Sequence, residues 1–327
     1  MDVERRIALL KKLGQFILSD DIQWVAAKEK ASYENAWFIP EFVSFQLEHV
    51  GKEYLDEENL RRWISGYTPS TSNKTIGIIM AGNIPLAGIH DFISAFIAGH
   101  NILVKPSSKD FILIKTIIDK LKEWEPSLNI HIAQQLKNCD AYIATGSNNS
   151  ARYFDYYFSK YPHIIRRNRT SAAILTGKET TEELDALADD VYLYFGLGCR
   201  NITKLYVPEN YDFIPLLDAF KKYNWLFDNH KYKNNYDYQL AIMIINNIYY
   251  MTNGSILLQQ NNALFTAISI VNYEFYKDAG EVRSFLENNQ DIQCIVGQDF
   301  LPFGQAQVPA LDDYADKADT LRFLLKL

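Results

Sequence analysis

Cysteine is scarce in this 327-residue chain: Cys139, Cys199 and Cys294 form an odd set with no C-x-x-C spacing. That excludes a disulfide framework and a cysteine-based zinc site, and a reducing compartment is the expectation. Glycine and proline are also few, at 15 and 10 residues, which excludes collagen-like repetition and low-complexity disorder. No long hydrophobic run exists. The longest apolar stretches, 76–80 and 263–271, fall far short of the roughly 20 residues that span a bilayer. The N-terminus scatters Asp2, Glu4, Arg5, Arg6, Lys11 and Lys12 among apolar residues, unlike the uninterrupted core of a signal peptide. A cytoplasmic protein without integral membrane contact is therefore expected. Positive charge is not in excess either, since 33 basic against 40 acidic residues give a net charge of -7. There is no global field for a polyphosphate backbone, so nucleic acid is not an expected partner, although a local patch could hold one nucleotide. The histidines, His49, His90, His100, His131, His163 and His230, show no metal-ligand spacing, and there is no Gly-x-Ser-x-Gly elbow. Metal and serine chemistry drop out.

What is present is an ordinary globular composition, 48% hydrophobic and 22% charged, in a chain long enough for one large domain or two. Over residues 1–66 apolar residues recur at helical spacing, as in Ile7, Leu10, Leu13 and Ile17 and again in Phe42, Phe45, Leu47 and Val50. After a breaker run at 66–73 the pattern alternates. It predicts strands at 76–80 and 101–105, near Ile130, at 141–144 and near Ile164, with helices at about 86–98, 111–122 and 149–158 between them. Such alternation implies a parallel sheet covered on both faces. The second half opens with a strand at 172–175. A helix follows with Thr181, Glu182 and Glu183 in its first turn and Leu184, Leu187, Val191 and Tyr194 on one stripe, running into Gly196-Leu197-Gly198-Cys199. Further strands are expected at 204–207, 264–271 and 293–296, with helices at 213–223 and 280–288. The Asn/Tyr-rich stretch 223–250 reads as helix and loop, and no internal repeat is visible.

Four segments could carry chemistry. Cys199 lies between a glycine-flanked turn and Arg200-Asn201. Gly196 and Gly198 permit close approach there, and a nearby cation such as Arg200 is a usual means of lowering a thiol pKa. The alternative is a buried inert thiol, the reading given to Cys139 and Cys294. Ala81-Gly82-Asn83-Ile84-Pro85-Leu86 joins a strand to a helix, where α/β sheets bind ligands. Asn83 there is either an amide donor to an oxyanion or a helix N-cap with Pro85 in the first turn. Lys105-Pro106-Ser107-Ser108-Lys109 offers cations and hydroxyls to a phosphate or ribose, or is a charged surface loop. Thr145-Gly146-Ser147-Asn148 also ends a strand and begins a helix, but neither common nucleotide motif is complete.

In order, these segments resemble the aldehyde dehydrogenase superfamily and, more closely, the LuxC-type fatty acyl-CoA reductases. The resemblance spans about 76–323. It rests on Ala81-Gly82-Asn83-Ile84-Pro85-Leu86-Ala87-Gly88-Ile89-His90-Asp91, Leu103-Val104-Lys105-Pro106-Ser107-Ser108-Lys109-Asp110 and Ile164-Ile165-Arg166-Arg167-Asn168-Arg169-Thr170-Ser171. Phe195-Gly196-Leu197-Gly198-Cys199-Arg200-Asn201, the run 202–208 and the tail around Phe303-Gly304-Gln305-Ala306-Gln307, Tyr314 and Asp319 complete it.

The resemblance implies an α/β, aldehyde-dehydrogenase-like fold. A Rossmann-type parallel-sheet cofactor domain would occupy 67–171, with the helical segment 1–66 packed on it, and a second α/β catalytic domain with the C-terminal tail would occupy 172–327. It makes Cys199 the acyl-accepting nucleophile and has Asn83 and the Cys199 backbone amide hold the oxyanion. Ala81, Gly82, Lys105, Ser107, Ser108, Thr145, Gly146 and Ser147 would bind the cofactor, and no metal is implied. The implied reaction reduces an acyl-CoA, or an acyl group on a carrier protein, to the aldehyde with NADPH. Ser108 stands where NAD-preferring members often carry a Glu, and NADH is the alternative cofactor. Where typical aldehyde dehydrogenases carry a general-base Glu, this chain has Arg166-Arg167-Asn168-Arg169, so hydrolysis of a thioester should be slow. Asn262 stands near the position of the acidic residue that anchors the nicotinamide ribose. The N-terminus is shorter than in the bioluminescence-type reductases, which implies a smaller substrate site or a missing oligomerisation element. A homo-oligomer or an acyl-transferring partner protein are the partners in view. The competing expectations are a cysteine-dependent acyltransferase or thioesterase without net reduction, and a noncatalytic nucleotide-binding subunit.

Overall fold

The computed structural model describes residues 1–68 and 72–327; Pro69, Ser70 and Thr71 of the expected breaker run lie outside the described residues. The chain divides into two compact units, Met1–Asn168 with Ala310–Leu327, and Arg169–Pro309.

The first unit is built on β1 (Thr75–Ile79), β2 (Asn101–Lys105), β3 (Ile130–Ile132), β4 (Ala141–Thr145) and β5 (His163–Arg166). All their pairings are parallel, in the order β3-β2-β1-β4-β5. β1 is the apolar run Thr-Ile-Gly-Ile-Ile, buried at its three central residues, as a central parallel strand requires. The helix Ile89–Ala98 is nearly all apolar and ends at Gly99, whose φ of 90° is the left-handed conformation of a helix C-cap.

That helix begins three residues later than its periodicity predicts. Leu86 has φ 53° and donates its N–H to Asp110 Oδ2 at 2.6 Å, and Gly88 takes the N-cap position. Asn83 is therefore not a helix cap.

The helices Val3–Ile17, Ile22–Glu34, Pro40–His49 and Glu57–Ser65 bury apolar residues, among them Ile7, Leu10, Leu13, Ile17, Trp24, Leu47 and Leu60, in one core with Ile76, Ile78, Phe92 and Leu113. Leu311, Leu321 and Leu324 join the same core. This corrects the expected assignment of the tail to the second domain. The helix Thr320–Leu325 buries its apolar side here, and Arg166 reaches the tail through Ala315 O at 2.6 Å and Thr320 Oγ1 at 2.7 Å.

The second unit holds β6 (Thr170–Ile174), β7 (Ile202–Pro208), β8 (Met251–Thr252), β9 (Leu257–Gln260), β10 (Ile270–Tyr276) and β11 (Ile292–Gly297), ordered β11-β6-β7-β10-β9-β8. Only the β8–β9 pairing is antiparallel. β6 starts before residue 172, so the unit begins earlier than expected. The strand expected at 264–271 is displaced to β10. Ser269 has φ 66°, and the preceding apolar segment is held as a loop by bonds from Thr203 Oγ1 to Leu264 O and from Asn272 Nδ2 to Ala263 O. The helix expected at 213–223 is α-helical only over Ile214–Ala219 and tightens into a 3-10 helix over Phe220–Asp228. The Asn/Tyr-rich stretch contributes the helix His230–Ile245. Among the described residues no helix is long and apolar enough to cross a membrane.

Candidate active site

Parallel register gathers the strand ends of the first unit on one edge. Ile79 of β1 pairs with Lys105 of β2 and Ala144 of β4, while Thr145 pairs with Arg166 of β5. Strand order reverses between β1 and β4, and the crevice beyond the carboxyl ends at such a switch point is where open α/β sheets take ligands. Asn83, Lys105, Ser108 and Ser147 are exposed here, and Ala81, Ser107, Thr145 and Gly146 are half-buried. Gly82 is buried, and a Cβ on it would lie 2.6 Å from Ser107 Oγ, so the loops after β1 and β2 approach as only glycine allows. Ser107 Oγ accepts from Lys109 N at 3.2 Å and shapes the second loop. Ser147 Oγ accepts from Ser150 N at 3.3 Å as the N-cap of the helix Asn148–Phe158. Its side chain is thus committed to starting the helix whose N-terminus sits at this edge.

Asp110 locks the first two loops together. Its Oδ2 holds Leu86 N, and its buried Oδ1 has no hydrogen-bond partner. Burial pushes this carboxyl up to about 7, against the smaller opposing pull of the Leu86 bond.

The Arg166–Arg169 run is largely structural. Arg166 is buried and pairs with buried Asp91, Nη2 to Oδ1 at 2.7 Å. Arg167 pairs at the surface with Asp155 at 2.7 Å.

In the second unit, a capping box between Thr180 and Glu183 starts the helix Thr181–Tyr192. The chain then turns sharply: Tyr194, Phe195 and Gly196 have φ of 55°, 57° and 74°. Two buried aromatic residues in the left-handed region are strained, and they persist only because their surroundings fix them. Asn201, fully buried, supplies that fixation. Its Nδ2 donates to Asp190 O at 3.0 Å and Leu193 O at 2.8 Å, and its Oδ1 accepts from Gly198 N at 2.8 Å. Asp190, also fully buried, accepts from Gly304 N at 2.7 Å and Ala306 N at 2.9 Å. Burial pushes its carboxyl up to about 7, only partly offset by those two bonds. Cys199 is exposed on the turn so held, three residues before β7, whereas Cys139 is buried and Cys294 half-buried. Burial raises the Cys139 thiol.

No family model matches the chain, and no curated protein matches it either. Solved structures do. Aldehyde dehydrogenase 21 from Physcomitrella patens, in complex with the reaction product succinate, superposes with a TM-score of 0.70 at 12% identity, over 91% of this chain and 74% of that one. The Mycobacterium tuberculosis aldehyde dehydrogenase complexed with NAD+ gives 0.68 at 12% identity, over 90% and 73%. The aldehyde dehydrogenase KauB from Pseudomonas aeruginosa gives 0.67 at 12% identity, over 90% and 72%.

The fold is that of the aldehyde dehydrogenases.

Within this aldehyde dehydrogenase fold, the first unit carries Asn83 and all the residues expected to bind the cofactor, and brings them to one sheet edge. Cys199 belongs to the second unit. Sequence reasoning missed Asp110, Asp190, Asn201 and the structural role of Arg166. A signal existed for Asp190, which falls on the apolar stripe of its helix with Leu184, Leu187 and Val191, and for Asp91, which sits in a largely apolar helix. A carboxylate on a buried face needs a partner.

Proposed function

We propose that the chain is a nicotinamide-dependent acyl-CoA reductase that converts an acyl thioester, with fatty acyl as the expected class, to the aldehyde through a thioacyl intermediate on Cys199. The observation that carries this reading is Cys199 itself, an exposed thiol on a turn whose strained backbone is pinned by Asn201. In the proposed reaction the Cys199 sulfur attacks the thioester carbonyl, a new C–S bond forms, and the CoA thiolate leaves. Asn83 and the Cys199 backbone N–H are the proposed donors to the developing oxyanion.

A nucleotide suits the first unit's edge. Hydroxyl-bearing loops, exposed Lys105 and Lys109 and a helix N-terminus meet there, and Gly82 leaves the backbone uncovered. When bound, the cofactor supplies the hydride that reduces the acyl carbon. Collapse of the tetrahedral adduct on Cys199 releases aldehyde and regenerates the thiol. The NAD+ held by the Mycobacterium tuberculosis neighbour supports a nicotinamide cofactor. Ser108 in place of an acidic residue favours NADPH over NADH, because no carboxylate there repels a 2′-phosphate.

The run at 166–169 contains no carboxylate, and Arg166 is occupied by Asp91. That favours reduction over oxidative hydrolysis, which needs a base to activate water. One feature favours a second reading. Exposed Asn262 in place of an acidic ribose anchor suits an acyltransferase or thioesterase that uses Cys199 without reduction.

The test is NADPH consumption by purified protein with acyl-CoA substrates of several chain lengths, an aldehyde trap, and Cys199→Ala alongside. Trapped aldehyde with the wild type and none with Cys199→Ala is expected. CoA release without NADPH loss would establish the second reading, and undiminished reduction by Cys199→Ala would overturn both.

A further inference from the structure

Ser171 occupies an unusual position in β6. Both flanking strands bulge beside it: β11 carries one extra residue between Ile292 and Ile295, and β7 carries one opposite the Ser171–Ala172 step. Bulges of this kind re-aim side chains and recur next to active sites. The bulge in β11 contains Cys294. Its backbone N–H donates to Ser171 Oγ at 3.1 Å instead of joining the ladder, and its sulfur lies 3.1 Å from the same oxygen. Ser171 Oγ in turn donates to Cys199 O at 3.1 Å. With its single proton committed to Cys199 O, this fully buried hydroxyl accepts from both the amide and the thiol of Cys294. The Cys199 turn and Cys294 are thus tied through one oxygen atom, although they are distant in sequence.

We propose that Cys199 and Cys294 form a two-thiol oxidation site, in which Cys294 captures peroxide-oxidised Cys199 as a reversible intramolecular disulfide.

The partners differ as such a pair requires. Cys199 is exposed and meets the oxidant first, whereas Cys294 is half-buried and held as a hydrogen-bond donor to Ser171. Burial pushes the Cys294 thiol up to about 11, and Arg200 and Ser171 only partly counter it. Cys294 is therefore the protonated, shielded member that hydrogen peroxide does not attack directly. In the first step the Cys199 sulfur takes one oxygen from hydrogen peroxide to give a sulfenic acid, and the other oxygen leaves as water. In the second the Cys294 sulfur attacks the Cys199 sulfur, its proton joins the departing hydroxyl, and a second water is lost as the S–S bond forms. Two thiols are oxidised by two electrons in all, and a peroxide O–O bond is reduced. A disulfide needs Cα atoms about 4.4–6.8 Å apart, and both backbones come within 3.1 Å of one hydroxyl oxygen, Cys199 through its carbonyl and Cys294 through its amide. The device would keep an exposed thiol off the irreversible rungs of the oxidation ladder.

The experiment uses the whole chain without substrate or nucleotide, so its outcome is separate from that of the reductase reading. Reduced protein is exposed to a small molar excess of hydrogen peroxide, blocked with N-ethylmaleimide, and digested without reductant for peptide mass mapping. The expected product is a cross-linked pair of Cys199 and Cys294 peptides, with Cys139 alkylated, and dithiothreitol should return both thiols to full alkylation. In Cys294→Ser, and equally in Cys294→Ala should the serine perturb folding, the cross-link should vanish and the Cys199 peptide should carry sulfinic acid. Wild-type protein in which Cys294 remains fully alkylable after peroxide, whatever the state of Cys199, overturns the proposal.

Discussion

The two units hold their exposed loops by opposite means. At the edge of the first sheet the loops after β1 and β2 meet through absent side chains, Gly82 against Ser107, and a single carboxyl, Asp110, holds one strained N–H. In the second unit the turn bearing Cys199 is pinned by a dense polar network. Asn201 bonds on both sides of its amide, and Asp190 uses both oxygens on the 304–306 backbone. The difference follows from the backbone each must hold. A parallel sheet already delivers its loops to one edge, so only close approach is needed. A run of three left-handed residues will not persist without buried partners.

The largest loss should come from disrupting the polar network. Asn201→Ala strands Gly198 N–H and the carbonyls of Asp190 and Leu193, and should cost on the order of 4 kcal/mol in chemical denaturation. It should also change the rate at which Cys199 is alkylated in the folded protein. Unchanged stability would mean that the turn is self-supporting. Gly82→Ala should cost less, about 1–3 kcal/mol from overpacking, and Ser107→Gly should restore most of it. Failure of that rescue would place the strain elsewhere than at the Gly82–Ser107 contact.

The most diagnostic effect, because it appears only as pH changes, belongs to the two buried carboxyls. Each is pushed up to about 7 by burial, well above an unfolded Asp. The stability each contributes through proton binding is fully present below the unfolded pKa and is lost as pH rises through about 7. Asp110→Asn keeps an oxygen for Leu86 N and cannot ionise. Its stability relative to wild type should therefore rise between pH 4 and pH 8, by on the order of 4 kcal/mol. Asp190→Asn should rise likewise but from a lower start, because an amide nitrogen cannot accept from the second of Gly304 N and Ala306 N. Parallel curves for Asp190→Asn and wild type would show that Asp190 is ionised throughout.

The elements legible in the sequence were those whose signal is local. The β-branched run of β1, the acidic first turn at Glu182 and Glu183, and the strand-loop-helix segments containing Asn83 and Ser147 can each be read within about ten residues. Leu86 looked like the start of a helix because its spacing fits the stripe continued by Ile89 and Ile93. Its left-handed conformation depends on Asp110, 24 residues away. The tail was misplaced because nothing near Thr320 announces Arg166, which it meets across 154 residues. Asp190 and Gly304 are separated by 114 residues, and Ser171 and Cys294 by 123. Hydrophobic periodicity identifies which face is buried, but not which distant donor will satisfy a carboxylate on it.

The salt bridge and tail contacts of Arg166 bear on the order in which the molecule can be assembled. Arg169–Pro309 is one continuous insertion between two pieces of the first unit. A chain growing from its N-terminus has β1 through β5 in hand early, but Leu321, Leu324 and Thr320 arrive only after the entire insertion. Until then Arg166 lacks Ala315 O and Thr320 Oγ1, and the core leucines of the tail helix leave a gap over the helix Ile89–Ala98. The second unit, continuous in sequence, can close on itself first. The unit that begins the chain is thus the one that must finish last, and nascent protein should carry an open first core for as long as the insertion takes to be made.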